Sequence, residues 1–119
     1  MTIETHTGSC HCGAIAYEVD TDLSMIIECN CSNCYRKGLW LTFVAPKSFR
    51  LIAEPETTTT YLFNRHSIHH VICPTCGTEP FGHGVGPDGQ PMVAVNVRTL
   101  TDIAPFSVRP TMQYDGLSL

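Results

Sequence analysis

A chain of 119 residues with 43% hydrophobic and 15% charged side chains has the size and make-up of one globular domain with a modest core, and excludes a fibrous or disordered sequence. A formal charge of −4 with only seven Lys and Arg leaves no footprint for phosphates, so no nucleic-acid partner is expected. The start, Met1-Thr-Ile-Glu-Thr-His-Thr, has neither a basic nor an apolar signal region, and no apolar run reaches membrane-spanning length, so a soluble cytoplasmic protein without membrane contact is expected.

In chain order the apolar segments predict a mainly β protein. Ile15, Tyr17 and Val19 alternate with Ala14, Ala16 and Glu18, the period of a half-buried strand. The segment 25–29 predicts a second strand. Residues 32–37 lack strand character and predict one short helical turn, with Ser32 as its cap. Strands follow over 40–45, 49–52, 58–63, 68–72, 81–85 and 92–97, separated by Gly, Pro, Asp and Ser. Thr57 to Thr60 reads as a β-branched strand entry rather than a hydroxyl-rich site. Pro87, Asp88 and Gly89 predict a tight reversal, so 81–97 should form a hairpin. Gly82, Gly84 and Gly86 do not make a phosphate loop, because no helix can follow through Pro87. The stretch 103–119 reads as a closing segment with polar turns at Pro110 and Asp115-Gly116. No linker, charge block or repeat divides the chain, so one zinc-binding domain is expected over 1–119.

The strongest signal is the grouping of cysteines: Cys10-His-Cys12-Gly, Cys29-Asn-Cys31-Ser-Asn-Cys34 and Cys73-Pro-Thr-Cys76-Gly. Seven is an odd number for a disulfide framework, and a reducing cytoplasm keeps thiols reduced, so metal binding outranks bridging. Cys-x-x-Cys-Gly is the form of a zinc knuckle, in which the glycine takes a positive φ and turns backbone amides toward sulfur; Gly13 and Gly77 both hold that place. A redox pair shares the spacing but lacks a βαβ context here. Cys10, Cys12, Cys73 and Cys76 then supply four soft ligands for a closed, structural zinc. Such a site cross-links the chain across about sixty residues and contributes about 10 kcal/mol to folding.

Cys29, Cys31 and Cys34 remain. Three ligands can face one ion and leave a coordination position open, which is the arithmetic of a catalytic zinc. The alternatives are closure by a histidine, a disulfide within the cluster, or simple buried thiols. His11, His66, His69, His70 and His83 are the candidate fourth ligands, and none is singled out; His69 and His70 would point to opposite faces of a strand, so at most one of them can serve. Arg36 and Lys37 follow the cluster, where their charge can offset thiolates and hold a substrate carboxylate, or simply form a solvated turn.

The order Gly-Ser-Cys10-His-Cys12-Gly, Cys29-Asn-Cys31-Ser-Asn-Cys34-Tyr-Arg-Lys and Cys73-Pro-Thr-Cys76-Gly resembles the glutathione-dependent formaldehyde-activating enzyme family, which includes centromere protein V. Asn96-Val-Arg-Thr-Leu100 and Tyr114-Asp-Gly116 extend the likeness over nearly the whole chain, although the chain is considerably shorter than the namesake enzyme. The resemblance implies a β-tent of several coiled antiparallel sheets with one structural zinc on Cys10, Cys12, Cys73 and Cys76 and one functional zinc on Cys29, Cys31 and Cys34. It implies joining of formaldehyde to glutathione to give S-hydroxymethylglutathione, a carbon–sulfur lyase activity; separately, from their charge and position, Arg36 or Lys37 is expected to orient the peptide's carboxylates. The competing expectation is a non-catalytic, zinc-stabilised protein-interaction module.

Overall fold

The fold, given by a computed structural model, describes residues 2–62 and 68–118. Phe63, the predicted end of a strand, His66, a candidate ligand, and Leu119, the end of the closing segment, lie outside the described residues. The protein is mainly β, as expected, and its strands form two sheets. Among the described residues no helix is long and apolar enough to cross a membrane.

The smaller sheet holds β1 (Glu4–Ser9), β2 (Ala16–Thr21) and β5 (Phe49–Ala53) in the order β1-β2-β5. The larger sheet contains β3 (Ile27–Cys29), β4 (Trp40–Val44), β6 (Thr59–Leu62), β7 (Ile68–Ile72), β8 (Phe81–Val85), β9 (Pro91–Asn96) and β10 (Met112–Tyr114). Its order is β10-β3-β4-β9-β8-β7-β6. Among the described residues every strand pairing is antiparallel except that of β10 with β3.

The main core lies between the sheets, where period-two alternation puts apolar side chains. Ile15, Tyr17 and Val19 are buried there with Val71, Phe81, Val93 and Val95. Phe49 bridges the two layers: its ring stacks on Tyr17 at 5.3 Å and meets Phe81 at 4.7 Å. The Tyr17 hydroxyl is satisfied by Thr99 Oγ1 at 2.6 Å, so the deepest aromatic carries no orphaned polar atom. The opposite face of the larger sheet carries a second, smaller core of Cys34, Leu39, Leu41 and Ala94. On β9, Val93 and Val95 enter the first core while Ala94 enters the second.

The helix α1 (Ser32–Lys37) contributes Cys34 to that second core. Its cap is Cys31, not Ser32: helical geometry begins at Ser32, so the capping position falls one residue earlier, and Cys31 Sγ accepts from the Cys34 amide at 3.3 Å. The hairpin of β8 and β9 forms as expected, with the Gly86 amide on the Gln90 carbonyl at 2.9 Å. The predicted strand 25–29 shortens to β3, because Ile26 is buried with its carbonyl taken by Thr111 while Met25 is largely exposed.

Two strands carry no sequence signal. Glu4–Ser9 carries no apolar side chain and is exposed at three of its six positions, yet pairs with β2 along its full length. Met112–Tyr114 is exposed at all three positions and is held by its ladder on β3.

Gly8 lies opposite Tyr17 in the β1–β2 register, and the Tyr17 ring occupies the place a Cβ at position 8 would take. Gly8→Ala is therefore expected to lower stability by about 1–3 kcal/mol through overpacking. Denaturant unfolding checks this; a midpoint equal to that of the parent would contradict it.

Candidate metal centres

Each cysteine pair of the first group sits in a hairpin turn, one from each sheet. The turn between β1 and β2 carries Cys10 and Cys12; the turn between β7 and β8 carries Cys73 and Cys76. Backbone bonds close both loops: the Gly13 amide donates to the Cys10 carbonyl at 3.2 Å, and the Gly77 amide to that of Cys73 at 2.9 Å. Gly13 and Gly77 take φ of 84° and 79°, the left-handed values that a residue with a Cβ adopts at a cost.

The four sulfur atoms lie within 4.8 Å of one another. Cys10 and Cys12 are 3.7 Å apart and Cys12 and Cys73 3.6 Å. A tetrahedron with zinc–sulfur bonds of 2.3 Å has edges of about 3.8 Å, so the donor set fits this ion in both chemistry and spacing. The protein field prepares part of the charge. The Thr78 hydroxyl and amide hold the Cys76 thiol down at about 5, and the Cys76 amide lowers Cys73. The Ala14 amide pulls Cys12 down, but crowding by Cys73 and Cys10 leaves it raised to about 11. Four thiols packed this closely cannot all ionise without a cation.

Cys29 ends β3, Cys31 caps α1 and Cys34 lies in its first turn, and their sulfur atoms also lie within 4.8 Å of one another. Cys34 is buried, while Cys29 and Cys31 are part-exposed. Burial raises Cys34 and Cys29; for Cys31 burial is outweighed by the Cys34 amide and neighbouring thiols, and the net shift is downward. Three soft donors with an accessible side fit a zinc ion that keeps one position open.

Among the described residues no histidine joins these thiols. His69 stacks on His83 at 4.9 Å, His11 is exposed, and His70 is buried toward α1. His69 and His70 thus point to opposite faces, as their strand position requires.

The carboxyl-terminal segment closes one side of the cluster. Asn30, between two of the cysteines, takes the Tyr114 carbonyl with its amide at 3.1 Å, donates from Nδ2 to Asp115 at 3.1 Å and accepts from the Leu117 amide at 3.0 Å. Gly116 rests on Cys29 and Cys31 so closely that a Cβ would stand 2.7 Å from the Cys29 sulfur.

Arg36 and Lys37 lie on a different flank of the helix. With Ser32, Asn33, Tyr61 and Ile72 they line a cleft of about 570 Å³ that none of the three thiols lines. Arg36 is exposed and bonds the Ser32 carbonyl at 3.1 Å. Lys37 Nζ meets the buried Glu79 carboxylate at 2.7 Å and sits 5.0 Å over the Tyr61 ring. Glu79 and His70 carry no motif; an acidic residue three positions after a knuckle cysteine gives no hint that it is buried.

The chain is thus a two-sheet β protein that gathers seven cysteines into a group of four and a group of three, each of which could hold a metal ion. The sequence profile of the glutathione-dependent formaldehyde-activating enzyme family matches residues 5–114, and the chain belongs to that family. Its fold is similar to that in the crystal structure of a Rhodobacter sphaeroides protein, with a TM-score of 0.77 and 28% identity over 90% of this chain and 98% of the other.

The two groups should respond differently to loss of one thiol. If the four-cysteine group holds a structural zinc, worth about 10 kcal/mol and comparable to the whole stability of a domain, Cys73→Ser should abolish the folded circular-dichroism spectrum. Cys31→Ser should stay folded, because serine caps a helix as well as a thiol does. Equal folding of both variants would remove the distinction between the groups.

Proposed function

We propose that the three-cysteine cluster joins a thiol, glutathione, to a small aldehyde such as formaldehyde, in the manner of a carbon–sulfur lyase. The observation that carries this reading is a cluster of three thiols with part-exposed sulfur on Cys29 and Cys31 and with no fourth protein donor among the described residues. Membership of the family supports it.

In this reading Cys29, Cys31 and Cys34 hold a zinc ion, while Cys10, Cys12, Cys73 and Cys76 hold a structural one. A zinc ion with an open position lowers the pKa of a thiol and draws electron density from a carbonyl. The chain's own residues shape what reaches it. The strap from Tyr114 to Leu117, tied to Asn30, covers one side of the cluster, so reactants enter from the other. Arg36 and Lys37 supply positive charge beside the cluster's helix. Lys37 already neutralises Glu79, which makes exposed Arg36 the cation for a peptide carboxylate. A tripeptide thiol spans about 10 Å when extended, enough to place its sulfur at the cluster and a carboxylate past the first helical turn. Overall a carbon–sulfur bond forms, and the thiol proton ends on the former carbonyl oxygen. Thiolate ligands persist in a reducing compartment, which is why we place the protein in the cytoplasm.

Calorimetric titration of the zinc-loaded protein with glutathione, with and without formaldehyde, tests the reading. Heat of binding at millimolar glutathione that changes when the aldehyde is present is expected, together with its loss in Cys31→Ser. Absence of heat in the parent would overturn the enzymatic reading and favour a non-catalytic zinc module.

A further inference from the structure

A buried polar chain runs behind the three-cysteine cluster and joins it to the loop of the four-cysteine group. Its centre is Glu79, three residues after Cys76, with a side chain only 4% exposed. One carboxylate oxygen takes Lys37 Nζ at 2.7 Å and the other takes His70 Nδ1 at 2.8 Å. Because the carboxylate accepts at Nδ1, that nitrogen carries the proton, and His70 Nε2 is left to accept from Asn33 Nδ2 at 3.5 Å. The Glu79 main chain is held as well, its carbonyl accepting from Asn96 Nδ2 at 3.1 Å.

The two far ends of this chain are the informative part. Asn33 stands between Cys31 and Cys34, and Lys37 lies near the end of the same helix. A single carboxylate therefore grips the short helix at both ends, from a loop whose own position the four-cysteine group determines. Six residues make too short a helix to hold its geometry by backbone bonding alone. An ion pair with one partner buried, as Glu79 is here, is also a poor source of net stability compared with apolar packing, but it ties the helix to a fixed point. Three thiols delivered by a six-residue segment must converge on one point, and a small rotation of α1 would move Cys34 away from Cys29 and Cys31.

We propose that Glu79, with Lys37, His70 and Asn33, is a positioning unit that sets the metal affinity of the three-cysteine cluster. None of the four is a ligand; they act by fixing the element that carries two of the ligands, as outer partners of metal sites do elsewhere. The inference rests on the reading that this cluster takes a metal ion.

Cobalt(II) titration of the metal-free full chain, followed by the visible absorption of cobalt–thiolate centres, tests it without recourse to activity. The parent is expected to bind two equivalents, the weaker one absent in Cys31→Ser. Asn33→Ala leaves the Glu79–Lys37 pair intact and should weaken the second equivalent by about 10-fold, and Lys37→Met by about 100-fold, with the first equivalent unchanged. Lys37→Arg, which keeps the charge, should restore it. A second equivalent as tight in Asn33→Ala and Lys37→Met as in the parent would overturn the inference, as would equal loosening of both equivalents, the mark of a purely structural role. A parent that binds one equivalent only would overturn the underlying metal reading, and the inference with it.

Discussion

The meeting of two hairpin turns at four cysteines is the constraint on which the rest of the structure depends. One turn belongs to the three-stranded sheet and the other to the seven-stranded sheet, and the sulfur atoms of Cys12 and Cys73 come within 3.6 Å although 61 residues separate them. Four thiols at that spacing are mutually unfavourable once ionised, and a cation such as zinc fits the arrangement. An ion held there would close a long loop and remove much of the unfolded chain's freedom. The aromatic bridge of Tyr17, Phe49 and Phe81 fills the space between the two layers.

From that junction the chain leads on to the second group of cysteines. The same turn that delivers Cys73 and Cys76 continues into Glu79, whose carboxylate reaches the underside of α1. On the other side, Asn30 ties the loop to the strap at Tyr114–Leu117. The two asparagines of the Cys29–Cys34 segment thus face in different directions. Asn30 holds the covering strap and Asn33 meets the buried histidine, while the cysteines between and beside them converge. The segment is short, but its conformation is set from outside on both sides.

Much of this was legible in the residue order. The strand around Ile15 to Val19 follows from apolar alternation, those between 25 and 97 from short apolar segments bounded by turn residues, the 81–97 hairpin from its turn residues, and the helix at 32–37 from the absence of strand character. The partition of cysteines into four and three follows from knuckle spacing and the glycines behind it. The strands at 4–9 and 112–114 were not legible, because the first carries no apolar side chain and the second is short and exposed, and their pairing is settled by the partner strand rather than by their own side chains. The cap of α1 was displaced from Ser32 to Cys31 because a one-residue shift in where the helix begins changes which side chain can reach the free amides.

The sequence by itself therefore determined that the seven thiols fall into a group of four and a group of three, since residue type and local spacing are properties of a few consecutive residues. Which hairpins bring the group of four together, which flank of α1 bears the thiols and which bears Arg36 and Lys37, and that Glu79 is the buried anchor between the two groups were decided by the tertiary structure. Those are relations between residues tens of positions apart, and no local pattern encodes the burial of one carboxylate or the face a short helix turns to a sheet.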